Sequence, residues 1–437
     1  MNENKKTLRG HATIELTDVK TGEIQKIEED NLVTNALAEM FWSAGFMGSE
    51  QPKSLYFPVY QKLLGGLILW ENTIPENADR IFEPAGNKVT GTGIYGLANN
   101  GTNLVRGTYN TDESSVGETI IKHVWDFTTN QANGKISAVS LCTDLAARDA
   151  YGTPYTPETG PEAYYIQYDK ITTGWPSNIV AFDEATGYAY GIDTLSSSQL
   201  ALVTYDTNLK TIPVTASEAY GLQEINRKTM DLNISLGNSN GLCNIATEGG
   251  HIYLLNCGTR TFANNANINI VDIDIEAGTA NVTAWKNCTG GACYTTNQNG
   301  NKYCSHCVGY HQGYIYVQKS SAPYTLYRAP LNDSTAVETL GDLEGACWFQ
   351  YARDGRVYWW HQTYAKVFDT ITKELRYINC RPIQAVQCLN SMNRFLGRDD
   401  RIIRNGADLI CTINNLESAV TKSESQTMKI TYTITQE

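Results

Sequence analysis

The sequence predicts an all-β protein, with a β-propeller of five or six blades inserted into a small β-sandwich-like domain that carries one short helix. Three observations predict it. Strand- and turn-favouring residues dominate, with 26 Tyr and 36 Gly in 437 residues and frequent Thr, Val, Ile, Asn and Asp. A strand–turn–strand unit repeats through the middle of the chain. Both ends alternate apolar and polar residues outside that repeat, as strands of a separate domain would.

The length exceeds one ordinary core and predicts two or three domains. Residues 1–150 read as the first. In RGHATIELTDVKTGEIQKIEE (9–29), Ala12, Ile14 and Leu16 alternate, and Asp18-Val-Lys-Thr-Gly22 is a turn before a second strand. Thr34 to Gly48 predicts the one helix, with Leu37, Met40, Phe41 and Ala44 on one face, Thr34 as N-cap and Gly45 or Gly48 as its end. Leu63–Trp70 reads as a buried strand. Ile120–Asp126 and Lys135–Leu141 read as a strand pair joined by a turn at Asn130-Gln-Ala-Asn-Gly134. YGTPYTPETGP (151–161) reads as a linker.

Residues 162–409 carry the repeat. SNIVAFDEATGYAYGID, GLCNIATEGGHIYLLN, SHCVGYHQGYIYVQK, GACWFQYARDGRVYWWHQ and AVQCLNSMNRFLGRDD each hold a short apolar strand, a turn and a second strand. In the first four the second strand opens Gly-x-apolar-Tyr. The anchors Val180, Cys243, Cys307, Cys347 and Cys388 are 63, 64, 40 and 41 residues apart. A period near 40 with four strands per unit is the pattern of propeller blades, whose sheets bury both faces only by packing on their neighbours. Glu162–Thr173 holds a sixth blade or the strand that closes the ring. Residues 410–437 end in MKITYTITQE, where Met428, Ile430, Tyr432 and Ile434 alternate. This strand is expected to pair back with the N-terminal domain.

A net charge of −12 without a Lys/Arg tract argues against nucleic acid as a partner, because phosphate recognition needs a basic stripe. No apolar run approaches the ~20 residues of a membrane span. The N-terminus, MNENKKTLRGHATIEL, lacks an apolar core after its lysines, so synthesis and folding in a cytoplasm are expected. Eleven cysteines in a reducing compartment then make a disulfide scaffold a poor explanation.

Cys288-x4-Cys293 and Cys304-x2-Cys307, with His306 and His311 nearby, have the residue types and spacing of a tetrahedral zinc site. Against that, Cys307 is a repeat anchor. Cys243, Cys347 and Cys388 hold the same place without a cysteine two residues away, so the favoured reading is a small buried residue on an innermost strand. Trp348, Phe349, Tyr351, Tyr358, Trp359, Trp360 and Tyr364 form an aromatic cluster. Exposed aromatic faces bind sugar rings and make interface hot spots, which singles out Trp348, Tyr351, Trp360 and Tyr364 as binding residues. The competing reading is core packing between blades, and Trp359 and Trp360 must face opposite ways. No H-E-x-x-H or P-loop is present, no carboxylate couple stands out, and Arg353-Asp-Gly-Arg356 reads as an ordinary hairpin turn. No enzymatic activity and no cofactor is expected.

Three segments resemble structural proteins of tailed phages and prophages of Gram-positive, often gut, bacteria. They are GHATIELTDVKTGEIQKIEEDNLVTNAL (10–37), VWDFTTNQANGKISAVSLC (124–142) and ICTINNLESAVTKSESQTMKITYTITQE (410–437). The resemblance covers the two ends and not the repeat. It implies a homo-oligomeric tail, fibre or appendage component made in the bacterial cytoplasm and built into the virion. Its ends would contact other virion proteins, and the middle would meet a host-surface glycan or protein. A capsid decoration or collar/baseplate protein without host contact is the alternative. A glycan-cleaving propeller is a second.

Overall fold

The computed structural model describes residues 8–36, 64–99, 101, 103–117, 119–143, 146–147, 165–167, 179–183, 185–206, 223–236, 242–256, 267–286, 307–319, 322–361, 364–378, 385–386, 388–389, 394–397, 402–405 and 410–436. At 165–167, 267, 360, 385–386, 388–389, 394–397 and 402–405 only the backbone is described. The predicted helix beyond Ala36 and the linker at 151–161 lie outside these residues. The fold is all-β with almost no helix (1%). No helix among the described residues is long and apolar enough to cross a membrane. Two compact units divide the chain: Met1–Tyr164, Tyr377–Arg381 and Gly406–Glu437 form the first, Tyr165–Arg376 and Pro382–Asn405 the second.

The first unit opens with β1 (Leu8–Asp18), β2 (Ile24–Asp30), β3 (Leu32–Val33), β4 (Gly66–Trp70), β5 (Val89–Ile94), β6 (Thr108–Tyr109), β7 (Ser115–Val116), β8 (Ile120–Phe127) and β9 (Gly134–Cys142). The second begins with β10 (Tyr165–Gln167) and runs through four sheets in chain order, antiparallel throughout except that Cys388–Leu389, from near the end of the unit, adds a parallel strand beside Ile179–Asp183 of the first. The first of these holds β11 (Ile179–Asp183), β12 (Tyr188–Ser196), β13 (Gln199–Asp206) and β14 (Gln223–Asp231). The next holds β15 (Leu242–Glu248), β16 (His251–Asn256), β17 (Asn267–Asp274) and β18 (Thr279–Lys286). β19 (Val308–His311), β20 (Tyr314–Gln318), β21 (Thr325–Pro330) and β22 (Glu338–Asp342) make the third. β23 (Trp348–Arg353), β24 (Arg356–Trp360), β25 (Ala365–Asp369) and β26 (Leu375–Ile378) make the fourth. Four short strands follow: β27 (Ala385–Val386), β28 (Cys388–Leu389), β29 (Arg394–Gly397) and β30 (Ile402–Asn405). The chain then returns to the first unit as β31 (Thr412–Lys422) and β32 (Gln426–Gln436).

In the first unit β1 turns into β2 where the Asp18 carboxylate accepts the amides of Lys20 (2.9 Å) and Thr21 (2.8 Å) and Gly22 takes a φ of 72°. β32 lies between β1 and β8 and pairs with β1 from Leu8↔Gln436 to Asp18↔Gln426. β31 lies between β3 and β9 in a second sheet of order β3-β31-β9-β4-β5. The two sheets share one apolar core that includes Ile14 and Leu16 of β1, Leu67 and Leu69 of β4, Trp125 and Phe127 of β8, and Met428 and Ile430 of β32. Each fully buried aliphatic side chain of this kind is worth about 1.5–3 kcal/mol. β4 is buried on both faces, with Ile68 and Trp70 turned to a second cluster beside Ala138, Ile410 and Ile413.

The strands read as an Ile120–Leu141 pair both form, but they do not pair with each other. β8 pairs β32, β9 pairs β31 and β4, and the segment between them crosses from one sheet to the other. The reason is that the C-terminal strands occupy the neighbouring positions, while Trp125 and Val139 face one core from opposite sheets. Lys422 holds the crossing, with Nζ donating to Asn133 Oδ1 (2.7 Å) and Thr129 O (3.2 Å).

In the second unit the Gly-x-apolar-Tyr pattern marks a hairpin each time. Gly187, Gly250, Gly313 and Gly355 have φ of 75°, 84°, 82° and 82°, a left-handed conformation that a side chain would strain. Successive sheets bury alternate residues against each other. Leu254 of the second sheet packs towards Leu202 of the first, and Leu255 towards Val317 of the third. Tyr316 and Leu326 of the third pack against Phe349, Trp359 and Phe368 of the fourth. A last sheet joins β27, β29 and β30 to β10, so the unit's first strand pairs with its last, Tyr165 opposite Asn405.

Candidate functional site

The fourth sheet holds the aromatic cluster. Its register pairs Trp348 with Trp360, Phe349 with Trp359 and, past a bulge at Gln350, Tyr351 with Tyr358. The extra residue puts positions 348 and 351 on one face of the sheet, which strict alternation would not. Phe349 and Trp359 meet edge to face at 5.7 Å inside the core. Tyr351 is 4% exposed, stacked 4.5 Å from Tyr358 with the Arg353 guanidinium over both rings. Little of the Tyr351 ring therefore reaches the surface.

Trp348 and Tyr364 are only partly buried and lie on either side of Cys347, whose Sγ is 3.9 Å from the Tyr364 hydroxyl. That hydroxyl donates to Leu343 O (2.6 Å), and the ring stacks on His361 at 4.4 Å. Gly345 makes room for the pair, since a Cβ there would lie 2.6 Å from the Tyr364 hydroxyl. Lys366 Nζ sits 6.0 Å from the Tyr364 ring and donates to Glu344 Oε1 (2.7 Å) and Asp342 O (3.0 Å). Burial lowers the His361 pKa, which favours a neutral ring. Half-exposed rings beside hydrogen-bonding groups suit the apolar face and hydroxyls of a sugar. The Trp360 side chain lies outside the described residues.

Of the four cysteines with zinc spacing, Cys288, Cys293 and Cys304 lie outside the described residues. Cys307 is a buried thiol whose Sγ donates to Cys347 O (3.5 Å) of the next sheet. Asn244, next to anchor Cys243, likewise donates to Val180 O (2.6 Å) of the preceding sheet. Anchor positions thus abut from sheet to sheet. Cys347 is also a buried thiol, and burial pushes it up to about 12. Cys243 is buried, as read for an anchor, and is disulfide-bonded. Among the described residues no group of three or more His, Cys, Asp or Glu could hold a metal ion.

Sequence reasoning left all six histidines unassigned, and two are structurally distinctive. His123 on β8 is 1% exposed, with Nδ1 3.0 Å from the Tyr109 hydroxyl and no partner for Nε2 among the described residues. His311 joins three sheets of the second unit. Position gives the only sequence signal for His123, which is two residues before the inward Trp125. The string Gly237-Asn-Ser-Asn-Gly241 has the form G-x-S-x-G but lies outside the described residues, between β14 and β15.

No family model matches the chain, and no curated protein matches it. Among solved structures it is similar to Hsv2 of Kluyveromyces lactis, at 11% identity over 50% of this chain and 70% of that one, with a TM-score of 0.23. It is also similar to dipeptidyl peptidase 4 of Porphyromonas gingivalis, at 10% identity over 73% of this chain and 60% of that one, with a TM-score of 0.18. Superpositions this loose carry no argument about activity.

Proposed function

We propose that this chain is a virion structural protein of a tailed phage, a tail, fibre or appendage component acting in several copies. The first unit anchors it in the particle. The second is a five-bladed propeller that binds the host surface. The observation that carries this reading is the division of the chain. The end segments that resemble virion proteins fold together, with β32 central in one sheet and β31 between β3 and β9 in the other. The second unit interrupts them, and Tyr165 and Asn405 at its borders are direct strand partners. Five sheets in chain order, four packed face to face and the last completed by the first strand, support the propeller. A middle that both starts and ends at one strand pair can vary without disturbing the anchor.

Excision tests this directly. With 165–405 replaced by a short Gly/Ser linker, the remaining chain is expected to fold and to appear in purified particles after expression during infection. A soluble product missing from the particles would make the second unit the docking element and reverse the assignment.

Substitutions in the fourth sheet separate binding from packing. Trp348→Ala and Tyr364→Phe are expected to weaken binding of the full chain to host cells about tenfold, with a loss of stability of no more than about 1 kcal/mol, the worth of the Tyr364 hydroxyl's bond to Leu343 O. Trp359→Ala is expected to cost about 3–5 kcal/mol of stability instead, because it empties a fully buried site. Unchanged cell binding by both surface variants would favour a propeller whose contacts stay within the particle.

A further inference from the structure

We propose that His311 is an acid-sensitive latch joining the hairpin ends of three consecutive sheets in the second unit. Its ring is 3% exposed. Nδ1 lies 2.6 Å from Glu248 Oε2, in the β15–β16 hairpin of the second sheet. The other carboxylate oxygen accepts the Gln312 amide (2.9 Å), which fixes the carboxylate against the third sheet. On the opposite side of the ring the Gly355 amide, in the β23–β24 hairpin of the fourth sheet, donates to Nε2 (3.0 Å).

These bonds define the proton's place. A nitrogen that accepts an amide N–H carries no proton, so the neutral ring is protonated at Nδ1 and donates to Glu248. One ring then holds a carboxylate with one edge and a backbone amide with the other. A second proton can enter only at Nε2. It would set N–H against N–H, and the Gly355 hydrogen bond would be lost. The bond to Glu248 would survive and gain an ion-pair component. Acid therefore frees the Gly355 hairpin end of the fourth sheet from the ring, while the core between the third and fourth sheets stays packed and the ring stays tied to the second.

Charged groups lie on both elements that grip the ring. Glu248 faces the ring from the second sheet, where the neighbouring His251 is held by Asp272 at 2.8 Å. Arg353, Asp354 and Arg356 flank Gly355 in the fourth sheet, and Arg356 lies 3.9 Å from Asp369. The stacked Tyr253 and Tyr310 rings, 3.7 Å apart with their hydroxyls at 3.1 Å, also join the second and third sheets. Burial raises both phenol pKa values, so this contact does not respond to acid.

The test uses the full chain with 15N-labelled histidine and amide exchange read at single residues. Near neutral pH, His311 is expected to show a protonated Nδ1 and a bare Nε2, and on acidification the second proton is expected at Nε2. Over that titration, after correction for intrinsic exchange, protection of the Gly355 amide should fall about five- to tenfold, the worth of one hydrogen bond. Amides within β20 and β21 should not change. His311→Gln can donate to Glu248 and accept from Gly355 without titrating, so its Gly355 protection should stay flat. An Nε2 already protonated near neutral pH would overturn the proposal. So would unchanged Gly355 protection in the wild type, or an equal fall in His311→Gln. The ring-nitrogen measurement needs only the wild type, so it decides even if the variant does not fold.

Discussion

Acidification from pH 6.5 to about 4 is expected to remove about 3 kcal/mol from the stability of the first unit, through His123 alone. Burial pulls this imidazole from 6.5 down to about 4, because no partner replaces the water a charged ring would need. Above pH 6.5 the ring is neutral in both folded and unfolded chains and contributes no pH dependence. Between 6.5 and about 4 the unfolded chain binds a proton that the folded unit refuses, so stability falls as the pH falls. Below about 4 both states bind it and the loss is complete. His123→Phe should abolish this component. It should also leave the unit at least as stable at neutral pH, because Tyr95, Tyr109 and Trp125 already form an aromatic environment around the ring. Amide exchange in β8 and β32 across this pH range measures the effect in the intact chain. A wild type and a His123→Phe variant with parallel pH profiles would refute it.

Tyr432→Phe is expected to destabilise the same unit by about 2–3 kcal/mol without changing its volume. The Tyr432 ring is fully buried in β32. Its hydroxyl bonds Thr412 Oγ1 (2.6 Å) and Asn414 Oδ1 of β31 and the Asn31 side-chain amide. Thr412 Oγ1 in turn accepts the Leu141 amide of β9 (2.8 Å). One phenol thus fastens the C-terminal strand of one sheet to two strands of the other. Removing only the oxygen leaves several polar groups buried with fewer partners, a larger loss than one average hydrogen bond. Burial keeps the phenol neutral, raising its pKa well above the usual value, so the cost should not vary across ordinary pH. Urea unfolding followed by exchange in β31 and β32 gives the number. A double-mutant cycle with Thr412→Val should be non-additive, because both changes break one network. A loss below about 0.5 kcal/mol would mean that the network contributes no net stability.

The sequence by itself determined the local elements. Gly187, Gly250, Gly313 and Gly355 announced their hairpins because left-handed backbone is a local property that glycine meets without strain. Alternation in Ala12–Leu16 and Met428–Ile434 announced inward faces because side chains on a strand alternate wherever it lies. Asp18 and Gly22 marked their turn by the same local logic.

Only the tertiary structure decided which strands are partners and what each inward residue meets. β8 and β9 read as a hairpin, yet strands from the far end of the chain lie beside both, and pairing across some 300 residues leaves no local trace. The bulge at Gln350 put Trp348 and Tyr351 on one face of the sheet, and Tyr351 stacks there on Tyr358. His123 and His311 are indistinguishable as letters. One is buried with an unpaired nitrogen, and the other is gripped from two sheets. Their chemistry depends on neighbours brought together by folding, because desolvation and hydrogen bonding act through space and not along the chain.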